Sequence, residues 1–306
     1  MDIQNTTPLV TIITPTYNRA PLLAETIESV IAQDYPNIEY LLLDDGSTDH
    51  TRELATAFQQ RFPGRIDYRF HENKGEAETV NDGWRNAKGD FVMVINSDDP
   101  QPPTLVRRSV EVMLQDPAIL VTYPDWIMTD IDGKKCWRNT LKNYGFEHMV
   151  RFAHCFIGPG ALINRKALAG RMTQLRNKHF PIASDVECWL EIGLLGKFRH
   201  IPEPLAVWRS HNGTTTHQHY VDIARTCMNI IDAFFQRCDL PASIRRHEKQ
   251  ARVSAECLLA YREFKRSPLK GLQRGLRLAL QSPYETACFL KAYGGMRISQ
   301  KLHREK

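Results

Sequence analysis

VTIITPTYNRAPLLAETIESVIAQDYPNIEYLLLDD (10–45) is the stretch from which the fold can be read. Its two ends, VTIIT (10–14) and YLLLDD (40–45), are short, nearly continuous apolar runs rich in β-branched and aromatic residues. Between them Leu23, Ile27, Val30 and Ile31 recur at helical spacing, on one face of a helix near 20–33. An apolar run without polar alternation suits a strand covered on both faces, as in parallel sheets flanked by helices. The alternation continues, with strands expected at IDYRFH (66–71), FVMVINS (91–97) and ILVTY (119–123). Helical spacing fills 49–61, 75–88 and 103–115. The prediction is an α/β domain on a mostly parallel central sheet. In such a sheet ligands bind beyond the carboxyl ends of the strands.

Further along, the pattern loosens. Residues 130–145 (DIDGKKCWRNTLKNYG) read as a loop, GALIN (160–164) as a short apolar run, 184–195 as a helix and RHIPEPLAVWR (199–209) as extended chain. Strand signals stop after Tyr220. Helices are expected at 220–237, 243–265, 268–281 and 284–300, with Pro241, Pro268 and Pro283 between them.

Composition excludes several classes. With 42% hydrophobic and 25% charged residues the chain is globular rather than disordered. No uncharged apolar run approaches the roughly 18 residues of a membrane span, and no basic-then-apolar leader opens the sequence, so a cytoplasmic location is expected. Seven scattered cysteines, none spaced C-x-x-C, point neither to a disulfide framework nor to zinc. Charge is unevenly placed: residues 1–240 carry 25 Lys+Arg against 30 Asp+Glu, residues 241–306 carry 15 against 5. The basic tail raises nucleic-acid binding as an option, but no basic aromatic strand or known motif accompanies it, and no nucleic-acid partner is expected.

The chemistry lies in the polar clusters that end the apolar runs: TPTYNR (14–19), DDGSTD (44–49) and NSDD (96–99). One acidic pair after a strand reads equally well as a helix cap or a solvated turn. Two pairs on the same edge of one sheet repel, and a cation relieves that. Hard oxygen donors suit Mn²⁺ or Mg²⁺ shared with a ligand's phosphates.

VTIITPTYNR, YLLLDDGSTD, HENKGEAETVNDGWRNAKGDFVMVINSDD and ASDVECWL resemble the family 2 glycosyltransferases of the GT-A fold, in order and spacing, over residues 8–215. The resemblance implies a Rossmann-like GT-A catalytic domain over 1–219, with a nucleotide-sugar half at 8–125 and an acceptor half at 126–219, followed by a helical C-terminal region over 220–306. It implies transfer of a sugar, with inversion, from a nucleotide-diphosphate donor to a glycan or lipid-linked acceptor. By position, Pro15 and Tyr17 line the nucleotide pocket, and Asp45 accepts the ring N–H of the base. Asp44 supports the turn, and Ser47 caps the following helix. Asp99 is the main metal ligand, while Asp98 contacts the ribose or shares the metal. Lys74 meets a phosphate or is simply solvated. His211, in WRSH (208–211), lies by the diphosphate or in a surface loop. Asp185 is the base that deprotonates the acceptor hydroxyl, with Glu187 second; the alternative is that Asp185 caps its helix. Two rival functions stay open. A nucleotidyltransferase acting on sugar phosphates would be expected to show a Gly-rich loop where TPTYNR stands. A catalytically inactive carbohydrate-binding protein would keep the fold alone.

In the tail, Leu269, Leu272, Leu276 and Leu280 form one apolar stripe among Arg262, Lys265, Arg266, Lys270, Arg274 and Arg277. Two readings fit: the stripe packs on the catalytic domain, or it docks peripherally on an anionic membrane at the inner face of the plasma membrane.

Overall fold

A computed structural model describes residues 7–141, 144–180 and 182–302, with side chains through residue 294. Among these residues the strands are β1 (Val10–Thr16), β2 (Ile38–Asp44), β3 (Asp67–Phe70), β4 (Phe91–Val94), β5 (Ile119–Thr129), β6 (Lys135–Asn139), β7 (Leu162–Ile163) and β8 (Lys197–Arg209). The helices of the same stretch are α1 (Ala20–Ile31), α2 (Thr51–Arg61), α3 (Glu76–Asn86), α4 (Leu105–Met113), α5 (Phe146–Phe152), α6 (Arg165–Leu168) and α7 (Ser184–Leu195). Then come α8 (Thr215–Gln218), α9 (Tyr220–Gln236), α10 (Ala242–Arg245), α11 (Glu248–Arg266), α12 (Pro268–Gln281) and α13 (Pro283–Leu302). The chain divides into two compact units, Met1–Lys142 with Ile157–Pro181 and Leu195–Arg209, and Asn143–Phe156 with Ile182–Leu194 and Ser210–Lys306.

The first unit is the expected α/β sheet, in the order β3-β2-β1-β4-β7-β5-β6, with β8 on β5. β1 pairs in parallel with β2 and β4, and β2 with β3, while β7 and β6 join antiparallel. Every residue of β1 is buried, which explains its unbroken apolar run. In α1, Leu23, Thr26, Ile27 and Val30 turn inward, and Pro21 sits in the first turn, where its missing N–H costs nothing. The parallel pairing Thr16↔Asp44 brings the carboxyl ends of β1 and β2 level, and Ile13↔Val94 sets that of β4 beside them.

One expectation fails here. The stretch read as a loop at 130–145 contains β6, which pairs with the second half of β5, Trp126 opposite Asn139 and Met128 opposite Trp137. A five-residue strand with two charged residues and a cysteine offers no apolar run; what holds it is packing, with the Trp126 and Trp137 rings 5.2 Å apart. Residues 142–143 of that stretch lie outside the described residues.

The second unit is helical. α11 is its centre: Val253, Cys257 and Ala260 pack with Leu278 and Phe289, and Leu259 with Val221 and Ala224. Beside it, Tyr144 stacks on His148 with ring centroids 4.2 Å apart, and His154 meets His148 edge-on at 5.8 Å. Burial pushes both imidazoles down to about 4, helped at His148 by Arg151 and at His154 by His148. An unfolded histidine titrates near 6.5. Between about 6.5 and about 4 the unfolded chain therefore takes up protons that the native chain refuses, so stability falls with acidification. Thermal melts at pH 7 and pH 5 should show a lower midpoint at pH 5, and His154→Phe should narrow the gap.

Candidate active site

Three loops leave the carboxyl ends of β1, β2 and β4; hydrogen bonds tie the first two together, and an ion pair links the third to the first. Asn18 adopts a left-handed backbone (φ 51°), and its Oδ1 accepts the amides of Thr48 (2.8 Å) and Asp49 (3.3 Å). In return the Asn18 amide donates to Ser47 Oγ at 2.9 Å. Ser47 therefore does not cap α2. That end of the helix is served by Asp49, whose carboxylate accepts the Thr51 amide and, from α1, the Ala20 amide. Burial opposes ionisation of Asp49, but these bonds and the Thr51 hydroxyl outweigh it and hold the carboxyl below its usual range.

Asp44 and Asp45 divide their work. Asp44 accepts the Ser47 amide (2.8 Å) and the Tyr68 hydroxyl (2.9 Å), so it supports the turn. Asp45, 4% exposed, reaches the other way: its oxygens accept the amides of Lys74 (2.8 Å) and Gly75 (3.0 Å), with His71 Nδ1 3.5 Å away. Gly46 between these loops has φ +81°, and a Cβ there would lie 2.7 Å from the Asn73 amide nitrogen. Gly46→Ala should therefore cost about 1–3 kcal/mol through combined strain and overlap. A denaturant midpoint that falls with the slope unchanged would show it; an unchanged midpoint would contradict it.

Pro15 is buried at the end of β1 opposite Leu43, while Tyr17 stands 47% exposed just beyond. The Lys74 ammonium pairs with Asp82 on α3, which Arg85 also engages, so Lys74 is held by its own chain rather than merely solvated. Arg19 Nε lies 3.8 Å from a carboxylate oxygen of the half-buried Asp98 and links the β1 loop to the β4 loop.

Asp99 is different. It is 1% exposed, and its oxygens accept the Arg209 amide (2.7 Å) and Asn96 Nδ2 (3.1 Å). Burial first, and then Asp98, push its carboxyl up to about 8. Gln101 fastens the same segment to β8, donating to the Asp99 and Val207 carbonyls and accepting the Val207 amide. Arg209 is equally buried; Nη2 pairs with Glu25, while Nε and Nη1 have no partner among the described residues.

Among the described residues no three His, Cys, Asp or Glu side chains converge on one point. The protein thus offers two adjacent carboxylates, Asp98 and Asp99. That donor set fits a Mn²⁺ or Mg²⁺ that takes its remaining ligands from water and substrate phosphates.

The second unit holds the other two expected site residues. Asp185 sits in the first turn of α7, half-buried, after Ala183 at φ +60°. That turn favours a carboxylate through the helix dipole. Asp185 is the second contributor, after burial, to the raised thiol of Cys227, which stands at about 12. His211 Nδ1 accepts the Gly213 amide at 3.1 Å.

A family model for glycosyl transferase family 2 matches residues 11–170, more than half of the chain. The chain belongs to the family 2 glycosyltransferases. Streptococcus pneumoniae GlyG, of the same broad class by name, is 39% identical over 143 residues, 46% of this chain and 47% of its own. An uncharacterized glycosyltransferase of Nostoc is 28% identical over 217 residues, 68% of this chain and 66% of its own. The chain thus spans about half to two thirds of the length of these relatives. Among solved structures, S. aureus TarS in complex with UDP-GlcNAc superimposes with a TM-score of 0.66 at 17% identity, covering 94% of this chain and 80% of that one. At that identity the likeness speaks to the fold, and it is the GT-A fold of this family.

Two side chains in this cluster drew no role from the sequence. Arg209 ends an otherwise apolar extended run, LAVWR (205–209), which is the signal that could have marked it. Arg19 carries no such signal; only the fold places it beside Asp98.

Proposed function

We propose that the chain transfers a sugar from a nucleotide-diphosphate donor to a glycan or lipid-linked acceptor, with inversion at the anomeric carbon. The observation that carries this is the bonded set of three loops at the carboxyl ends of β1, β2 and β4, which gathers Tyr17, Asp45 and Asp98 on one sheet edge. Support comes from the names of similar proteins: the mannosyltransferase PcManGT of Pyrobaculum calidifontis, in complex with GDP-Man and Mn²⁺, superimposes with a TM-score of 0.59 at 21% identity over 99% of this chain and 89% of that one.

In this reading Tyr17 and Pro15 flank the base. Asp45, with one lone pair on each oxygen already taken by an amide, keeps a second for a ring N–H. Asp98 is the carboxylate that meets the metal or the ribose. Asp99 stands behind it, because its carboxyl is 1% exposed whereas Asp98 is only half-buried. A divalent ion held at Asp98 would offset charge on the departing diphosphate. His211 is assigned to the diphosphate. Lys74 reaches a phosphate only by giving up Asp82. Asp185 takes the proton of the acceptor hydroxyl as it attacks. The catalytic portion is assigned to 1–219.

The test is a panel of nucleotide sugars with Mn²⁺ or Mg²⁺ and mixed glycan and lipid-linked acceptors, followed by NMR. Release of nucleoside diphosphate together with a product of inverted configuration is expected. A retained configuration would contradict a single displacement.

A further inference from the structure

The leucine stripe of the tail faces outward. α12 packs inward through Gly271 and Leu278, seven residues apart and so on one side of the helix. Gly271 allows the close approach: a Cβ there would lie 2.3 Å from the Phe264 backbone nitrogen. On the opposite side Leu269, Leu272, Leu276 and Leu280 are 67%, 51%, 57% and 83% exposed. The stripe is therefore not buried by its own unit. Four leucines along one face, all more than half in water, are not the scattered single hydrophobics of an ordinary surface.

The charge beside the stripe selects what covers it. α12 carries Lys270, Arg274 and Arg277 and no acidic residue. Arg274 and Arg277 lean back on Glu263 and Glu256 of α11, whereas Lys270, Lys265 and Arg266 stand exposed. A second copy of the chain would set this cationic flank against its own like. An anionic lipid surface answers both features: leucines enter the acyl boundary and lysines and arginines meet the headgroups. No helix among the described residues is long and apolar enough to cross a membrane, so such a contact would lie in the interface plane.

We propose that the outward leucine face of α12, with Lys270, Lys265 and Arg266 beside it, docks the chain on an anionic lipid surface. Tyr284 and Leu290 on α13, 70% and 62% exposed, add apolar surface in the same unit. The inference is independent of which sugar is transferred, and its test needs no donor. Full-length chain is sedimented with vesicles of phosphatidylcholine alone and of phosphatidylcholine with phosphatidylglycerol, at low and high salt. Binding is expected to the anionic vesicles and to weaken with salt, because charges are screened within about 8 Å at physiological ionic strength. Leu272→Gln with Leu276→Gln should lower that partitioning at least about tenfold. Lys270→Gln should lower it about fivefold, the equivalent of one cation near such a surface. These positions are exposed, so unchanged circular dichroism and melting are expected to accompany the loss. Absence of binding to anionic vesicles at low salt would overturn the proposal, as would full binding by the double leucine variant. A dimer in sedimentation velocity that the leucine changes dissociate, with no vesicle binding, would assign the face to a second copy instead.

Discussion

Asp185→Asn leaves donor binding in place and lowers turnover at least about a hundredfold. The substitution is nearly isosteric, so the first turn of α7 keeps its shape while the side chain loses its ability to take a proton. General base catalysis is worth roughly 10²–10⁴ in rate, which sets the size of the loss. If Asp185 only stabilised its helix, the amide would cost about 1 kcal/mol of stability through the lost dipole interaction and leave turnover close to wild type. Steady-state kinetics beside a calorimetric measurement of donor affinity separates the two. A turnover near that of wild type would remove Asp185 from the mechanism and move the search to Glu187, two residues on in the same helix.

The second large effect concerns the adjacent carboxylates. Asp98→Asn is expected to weaken nucleoside diphosphate binding in Mn²⁺ about a hundredfold, equivalent to about 2.8 kcal/mol, by removing the carboxylate proposed to meet the metal. Asp99→Asn should behave differently. Its oxygens accept an amide and a side-chain N–H in a buried place, so an Asn there turns an N–H₂ toward a donor. The expected signature is a loss of melting temperature accompanying any loss of affinity. Should Asp98→Asn bind as tightly as wild type while a stably folded Asp99→Asn does not, the division of roles between the two would be reversed.

How much of this was legible beforehand varies with the kind of signal. β1, β2 and β4 are buried on both faces, so their apolar runs are unbroken and locate the strands and the polar clusters at their ends. β6 was not legible, because KCWRN has no apolar run and its Trp137 packs on Trp126 of β5, whose place only the fold fixes. The role of Ser47 was misread for a related reason. A serine shortly before a helix reads as a cap, yet the folded loop brings Asn18 to it from 29 residues away. The two carboxylates in NSDD are ranked by resemblance, Asp99 as the main metal ligand and Asp98 as a ribose contact or second ligand. Which of them is buried depends on β8, whose Arg209 amide arrives from 110 residues away. The leucine stripe was visible from its spacing alone, but spacing does not say which way a helix faces. That depended on Gly271 seating α12 against α11 by its other side.

The central claim is that this sheet edge binds a nucleotide diphosphate through a divalent ion held at Asp98, with Asp99 behind it. The most direct measurement is a calorimetric titration of the wild-type chain with uridine and guanosine diphosphates, with Mn²⁺ present and again with excess chelator. Binding of at least one of them is expected in Mn²⁺, with a loss of about a hundredfold or more in chelator. Equal affinity with and without the metal, or no binding of either nucleotide in Mn²⁺, would contradict it.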